Sequence, residues 1–305
     1  MGVSIYFWIG FFVLVFTLLA LDLGVFNKKD HVISVKEASK YVIIWVMIAL
    51  FFNVFVFFEF GKTSALEFFT AYVVEYSLSV DNIFVFILIF SYFSVKPEHQ
   101  HHVLFWGIVG ALVMRGIFIF AGVAMINKFH WIVLVFGAFL VLTGIKMLAG
   151  EEKPMDPEKN PVVKFFKRFF RVTEGIHGSH LFAKENGRYI ATPLFLVLLV
   201  IESSDLIFAV DSIPAVLSIS NNTFIVFTSN IFAILGLRSL YFAIAGVMGL
   251  FRYLKVGLAF VLSFVGLKML ASYFNFEIPI FLSLSIIVSI LLVSILASIL
   301  IKKKE

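Results

Sequence analysis

Apolar residues fill this chain in stretches of about 20, the length that an α-helix needs to cross the hydrocarbon core of a bilayer. Polar residues gather between the stretches, most of all in residues 151–191. The pattern predicts an all-α, polytopic membrane protein, folded as a single transmembrane domain over residues 1–305. Its nine predicted helices lie near residues 3–26, 41–60, 66–94, 103–125, 131–149, 192–217, 224–250, 255–273 and 279–301.

The composition supports this prediction and excludes other classes of protein. Hydrophobic residues make up 61% of the chain and charged residues 14%, with a mean hydropathy of +1.05, whereas soluble domains carry roughly a quarter of charged residues. Cysteine is absent, which excludes disulfides, iron–sulfur clusters and thiol redox chemistry. We expect no resident cofactor.

The basic residues predict how the chain is oriented in the membrane. If the N-terminus lies outside the cell, 18 of the 24 Lys and Arg residues fall in cytoplasmic segments, and only Lys62 and Lys128 fall in external ones. Cytoplasmic loops of membrane proteins carry this excess of positive charge. We therefore predict an external N-terminus and a cytoplasmic C-terminus, with membrane lipids and not nucleic acid as partners of the basic residues.

The long polar loop at residues 151–191 contains the run VVKFFKRFFRV at 162–172. Its mixture of aromatic and basic residues is typical of a short amphipathic helix on a membrane surface. We predict such a helix on the cytoplasmic face. A regulatory or partner-binding role of the loop is the alternative.

Two parts of the chain repeat each other, at residues 66–150 and 192–273. SVDNIFVF (79–86) matches SSDLIFAV (203–210), VMRGIFIFAG (113–122) matches GLRSLYFAIAG (236–246), and TGIKMLAG (143–150) matches VGLKMLAS (265–272). The matches pair Asp81 with Asp205 and Arg115 with Arg238. Because each copy holds three spans, the copies are predicted to lie in opposite orientations, the architecture of many secondary transporters. The helix at 279–301 follows the second copy.

Transporters of this architecture often bind substrate near mid-membrane at broken helices. Pro214 predicts such a break in the second copy, because proline lacks a backbone donor. The hydroxyls of Ser203 and Ser204 could bond the carbonyls that a break frees.

Five acidic residues fall inside the first spans of the two copies, where unpaired charges would cost on the order of 12 to 17 kcal/mol in lipid. Two arginines within spans cannot neutralise all five, so protons or a bound divalent cation must supply the remaining charge. Oxygen ligands favour Mg²⁺, Ca²⁺ or Mn²⁺. The predicted metal ligands are Glu75, Asp81, Asn82, Glu202, Asp205 and Asp211, supported by Ser79, Ser203, Ser204, Arg115, Arg238 and Asp22.

Three hypotheses follow from these residues. The first is a transporter that moves a divalent cation across the membrane by alternating access between the two copies. The second is a membrane enzyme in which paired aspartates activate water. The third is a structural or redox-modulating partner protein that acts through residues 151–191. A simpler alternative for the site is that Arg115 and Arg238 only form structural salt bridges with the acidic residues.

The motifs EYSLSVDN (75–82), ESSDLIFAVDSIPA (202–215) and TSNIFAILGLRSLYF (228–242), together with ALDLG (20–24) and ATPLFLVLLV (191–200), resemble the TerC family of bacterial inner-membrane proteins, in particular its Alx branch. The resemblance covers nearly the whole chain. It implies a manganese exporter related to the LysE transporter superfamily, with the acids at positions 75, 81, 202, 205 and 211 as its transport site. Family members have also been named for tellurium resistance and as membrane-bound redox modulators.

Overall fold

The computed structural model describes residues 3–22, 33–129, 131–149, 164–166, 172–173, 180–185, 188–245, 253–276 and 278–300, without the side chains of Asp81, Phe84, Asn127 and Asp211. Its helices are α1 (Ile5–Leu21), α2 (Val35–Tyr92), α3 (Pro97–Lys128), α4 (Ile132–Ala149), α5 (Pro193–Leu217), α6 (Thr223–Leu235), α7 (Leu237–Ala245), α8 (Leu254–Tyr273) and α9 (Ile280–Leu300). Strands β1 (Phe182–Glu185) and β2 (Arg188–Ala191) form one antiparallel hairpin. The protein is therefore an all-α membrane protein, as predicted.

Helix α2 is a helical hairpin and not one straight rod. Gly61 interrupts it with φ 85° and ψ 174°, a backbone conformation that only glycine adopts readily. The rings of Phe52 and Phe68 pack 5.5 Å apart, although a continuous helix would separate these residues by about 24 Å. The two limbs, residues 35–60 and 62–92, cover the second and third predicted spans.

Within the described residues, six helices are long and apolar enough to cross a membrane, or seven if α6 and α7 form one bent span. Helix α2 counts once in this number, and α1, with 17 residues, is shorter than the roughly 20 residues that a span needs. The predicted number of nine spans is therefore not confirmed.

The predicted helix break at Pro214 is wrong, because α5 runs without interruption from Pro193 to Leu217. Pro214 lies in the last turn, where the loss of one donor is tolerated. The hydroxyls of Ser203 and Ser204 bond the carbonyl of Val200 in their own helix. An interruption does occur between α6 and α7, at position 236, where the helix bends by 40°.

Small residues let α4 and α8 pack closely against each other. A Cβ on Gly266 would lie 2.7 Å from the carbonyl oxygen of Gly137 and 2.9 Å from the Cβ of Leu140. Glycine at these positions lets the two backbones approach, as small residues do in membrane bundles. Helix α5 packs against α2 and α3, and α6 and α7 pack against α2, so the polar residues of these helices meet inside the bundle.

The amphipathic helix predicted within residues 151–191 falls mostly outside the described residues. Residues 164–166 form a helical turn, in which the ring of Phe166 packs at a tilt against Phe195 of α5, with ring centroids 5.1 Å apart. The hairpin of β1 and β2 follows and leads directly into α5. The described part of the loop is therefore held against the end of the bundle.

Candidate functional site: a buried carboxylate and arginine centre

Asp205 of α5 lies at the centre of a buried polar group that joins three helices. Its carboxylate accepts hydrogen bonds from Nε and Nη2 of Arg115 at 3.2 and 3.0 Å, and from the amide of Asn82 at 3.0 Å. Asp205 is 3% exposed and Arg115 is fully buried. The two-pronged contact is the geometry that arginine favours with carboxylates.

Glu75 supplies a second carboxylate to the same arginine. Its Oε1 forms an ion pair with Nη1 of Arg115, and both side chains are shielded from solvent. The same Nη1 also donates to the hydroxyl of Ser212 at 3.3 Å. One guanidinium therefore faces two carboxylates, and the group carries a net charge of −1 when all three side chains are ionised.

Glu75, Ser79 and Asn82 line one face of α2, because residues four and seven positions apart lie on the same side of a helix. All three side chains are buried. Within the described residues, Oε2 of Glu75 and the hydroxyl of Ser79 have no hydrogen-bond partner. Buried oxygens are almost always paired, so these two atoms are candidates to bind an ion or water.

Glu202 is placed on α5 one turn before Asp205, and its carboxylate lies against Gly110 of α3. A Cβ on Gly110 would lie 2.5 Å from the carboxyl carbon of Glu202 and 2.6 Å from Oε2. Only the absence of a side chain at Gly110 leaves room for the carboxylate. Oε2 of Glu202 is buried and has no hydrogen-bond partner among the described residues.

The structure thus brings three of the predicted ligands, Glu75, Asn82 and Asp205, together in the group that contains Arg115. A fourth, Glu202, lies one turn before Asp205 on α5 and faces Gly110. The side chains of Asp81 and Asp211 lie outside the described part of the structure, so their predicted role is untested. In the described residues no three acidic or histidine side chains are close enough together to hold a metal ion by themselves.

Arg238, the predicted repeat partner of Arg115, bonds elsewhere. Its Nη2 donates to Asp22 at the end of α1, and both side chains are buried. Ser203 and Ser204, predicted as supporting residues, bond the backbone of α5 at 2.9 and 2.7 Å. Ser212 and Gly110 were not among the predicted site residues, although Ser212 stands inside the acidic motif at 202–215.

Three clefts open at one end of the bundle around residues 217–222, the loop between α5 and α6. Their volumes are about 240, 320 and 540 Å³, and Asn221 lines all three. Ser220 in this loop donates a hydrogen bond of 2.6 Å to Glu67 of α2. Val3, which precedes α1, borders the cleft of 540 Å³, so these clefts lie at the end of the bundle where α1 begins.

Comparison with known proteins places the chain in a family. Residues 60–305 match the family model described as the integral membrane protein TerC family. A relative from Myxococcus xanthus, named uncharacterized membrane protein STKORF319, is 50% identical over 291 residues, which cover 95% of this chain and 91% of the relative. No solved structure matches.

Relatives from Salmonella typhi and Escherichia coli strain K12 carry the provisional name membrane-bound redox modulator Alx. Each is 44% identical to this chain, and the similarity covers 94% of this chain and 92% of the relative. The similarity therefore extends over nearly the whole of both proteins. The chain belongs to the TerC family of integral membrane proteins and is similar to its Alx members.

Proposed function

We propose that this protein exports a divalent cation, with Mn²⁺ as its preferred substrate, from the bacterial cytoplasm across the inner membrane. The cation binds at the buried centre of Glu75, Asn82 and Asp205, with Glu202 on the approach to it. Asp81 and Asp211 complete the proposed path. The observation that supports this proposal is a pair of buried carboxylates that share a single arginine and leave buried oxygens unpaired.

The charges of the centre favour a cation. Arg115 offsets only one of the two carboxylates it touches, so an excess negative charge lies in a medium of low dielectric constant, where charge interactions are strong. A small divalent ion or a proton can supply the missing positive charge. The centre therefore selects positive charge and rejects anions.

The chemistry of the ligands favours a hard metal ion. The available atoms are carboxylate, hydroxyl and amide oxygens, which suit Mn²⁺, Mg²⁺ and Ca²⁺. The two oxygens without partners, on Glu75 and Ser79, lie one helical turn apart. They provide ligands that an ion could use without first breaking the Arg115 contacts.

The arrangement of the helices supports alternating access between two inverted copies. Helices whose sequences match, α2 with α5 and α4 with α8, contact each other directly. The proposed substrate site lies between α2 and α5, where the copies meet. With the N-terminus outside, the clefts around Asn221 face the exterior and serve as the exit.

The relatives' name favours redox modulation as a second candidate function. Because this chain contains no cysteine, a redox effect cannot come from thiol chemistry of the protein itself. It would have to follow from a transported metal or a partner. An aspartate enzyme is disfavoured, since both oxygens of Asp205 already accept hydrogen bonds from Arg115 and neither is left free to bind a catalytic water.

The proposal is tested by transport into proteoliposomes. We expect the purified protein to carry Mn²⁺ to an enclosed fluorescent chelator, and Asp205→Asn to abolish this transport. Glu59→Gln, which neutralises an exposed carboxylate on the same helix as Glu75, should transport like the parent protein. Competing Mg²⁺ and Ca²⁺ measure selectivity.

Ser79→Ala provides a milder variant, since removing an unpartnered buried hydroxyl leaves no new unsatisfied group and should not harm folding. We expect a weaker apparent affinity for Mn²⁺ at normal abundance. Transport by Asp205→Asn at the rate of the parent would refute the proposed function.

A further inference from the structure

A second buried arginine lies close to the proposed cation site without contacting it. Arg238 is the second residue of α7 and pairs with Asp22. The two residues are 4% and 7% exposed, respectively. Nη1 of Arg238 is also buried, and no atom of the described residues accepts a hydrogen bond from it. A buried guanidinium nitrogen without a partner is costly, so this group has a reason to move if another acceptor comes within reach.

Asp205 is such an acceptor, because it and Arg238 line the same small cavity. Among the side chains that the structure describes, Arg238 and Asp205 are the charged residues of its lining, and the others are apolar, including Ile108, Ile201 and Ile234. Its volume is about 20 Å³, enough for one water molecule. The cavity therefore separates the carboxylate of the proposed site from an arginine that another acid restrains.

We propose that Asp22 is a positioning residue that holds Arg238 away from Asp205 and so keeps the cation site open. This inference rests on the proposed function. Without Asp22, Arg238 would be a buried and unpaired charge, which is strongly unfavourable. The guanidinium then turns across the cavity to Asp205, neutralises its carboxylate and competes with the incoming cation.

The local fold allows this movement. Helix α7 has only nine residues and meets α6 at a 40° bend, so its orientation is not fixed by a continuous helix. Arg115 already shows that an arginine can bond Asp205 from a neighbouring helix.

Asp22 lies before residue 60, where the match to the TerC model begins, so α1 would contribute to the site from outside the matched region.

The first experiment compares Mn²⁺ transport by four proteins in proteoliposomes. If Arg238 occupies Asp205 for nine-tenths of the time in Asp22→Asn, the apparent affinity for Mn²⁺ falls about tenfold. The double variant Asp22→Asn with Arg238→Gln should return to within about twofold of the parent, because it removes the competitor. Asp22→Glu keeps the carboxylate that pairs with Arg238, so it should lose less affinity for Mn²⁺ than Asp22→Asn.

Asp22→Asn with Arg115→Gln should not restore transport, because it leaves Arg238 in place and removes the arginine that bonds Glu75 and Asp205. If Arg238→Gln restores transport to Asp22→Asn and Arg115→Gln does not, Asp22 acts by positioning Arg238 and not only by stabilising the fold. Equal transport by Asp22→Asn and the parent, or no recovery in the Arg238 double variant, overturns the inference. Membrane abundance is measured for each protein, and Asp22→Ser replaces Asp22→Asn if the latter does not accumulate.

A second experiment does not depend on transport. Thermal midpoints at one scan rate are measured for a double-mutant cycle of Arg238→Gln and Asp205→Asn, in the parent and in Asp22→Asn. We expect coupling between these two residues to rise when Asp22 is neutralised. No rise refutes the positioning role, whereas a rise in a protein that fails to transport Mn²⁺ supports it and refutes only the proposed function.

Discussion

Replacing Gly110 by alanine tests whether the position of the Glu202 carboxylate matters for transport. The added Cβ would lie 2.5 Å from the carboxyl carbon of Glu202 and closer still to its Oε1, whereas ordinary contact begins at 3.4 Å, so the carboxylate must withdraw by more than 0.9 Å. Glu202 can do so by rotating its flexible side chain, and therefore the fold should tolerate the change. The proposed path, however, loses a correctly placed ligand.

We expect Gly110→Ala to weaken Mn²⁺ transport about tenfold, in the range found when residues supporting a metal site are altered. Its thermal midpoint should stay near that of the parent. The assay is Mn²⁺ uptake into proteoliposomes at graded metal concentrations. Gly107→Ala is the matched control one turn earlier on α3, because its Cβ would meet Ile201 and Leu198 at 3.5 and 3.9 Å, which are ordinary contacts.

A compensating variant sharpens this test. Glu202→Asp shortens the side chain by one methylene and should recover part of the transport that Gly110→Ala loses. Two results would contradict the interpretation: unchanged transport by Gly110→Ala, or an equal loss in Gly107→Ala.

Two further predictions concern the scaffold, and both are checked by thermal unfolding in nanodiscs. Gly266→Ala should lower stability by about 1–3 kcal/mol, because its Cβ would meet the backbone oxygen of Gly137 at 2.7 Å; a midpoint equal to that of Gly107→Ala would refute the close packing of α4 on α8. Gly61→Ala should cost about 1–3 kcal/mol through its backbone conformation alone, since no atom lies within 4 Å of the added Cβ. Gly10→Ala, in the interior of α1 with similar open space, should be neutral or slightly stabilising, and an equal loss in both variants would argue against strain at Gly61.

Several features follow from the amino-acid sequence alone. Long apolar stretches determine the all-α membrane fold, because only helices and closed barrels satisfy the backbone inside a bilayer. Asp205 and Arg115 are recognisable as functional candidates for a related reason: an ionisable residue in a membrane span is costly and must have a partner. The matching motifs predict which helices are related.

Only the tertiary structure decides which partners these residues take. Sequence spacing places Glu75, Ser79 and Asn82 on one helix face, but it does not reveal that Arg115 reaches both Glu75 and Asp205 while Arg238 bonds Asp22. Those choices depend on distances between helices that are far apart in the chain. The same is true of the space that Gly110 leaves for Glu202, and of the helix interruption before α7 in place of one at Pro214. Hydrophobicity acts along the chain and can be predicted locally, whereas charge pairing acts through space and is settled only when the helices pack.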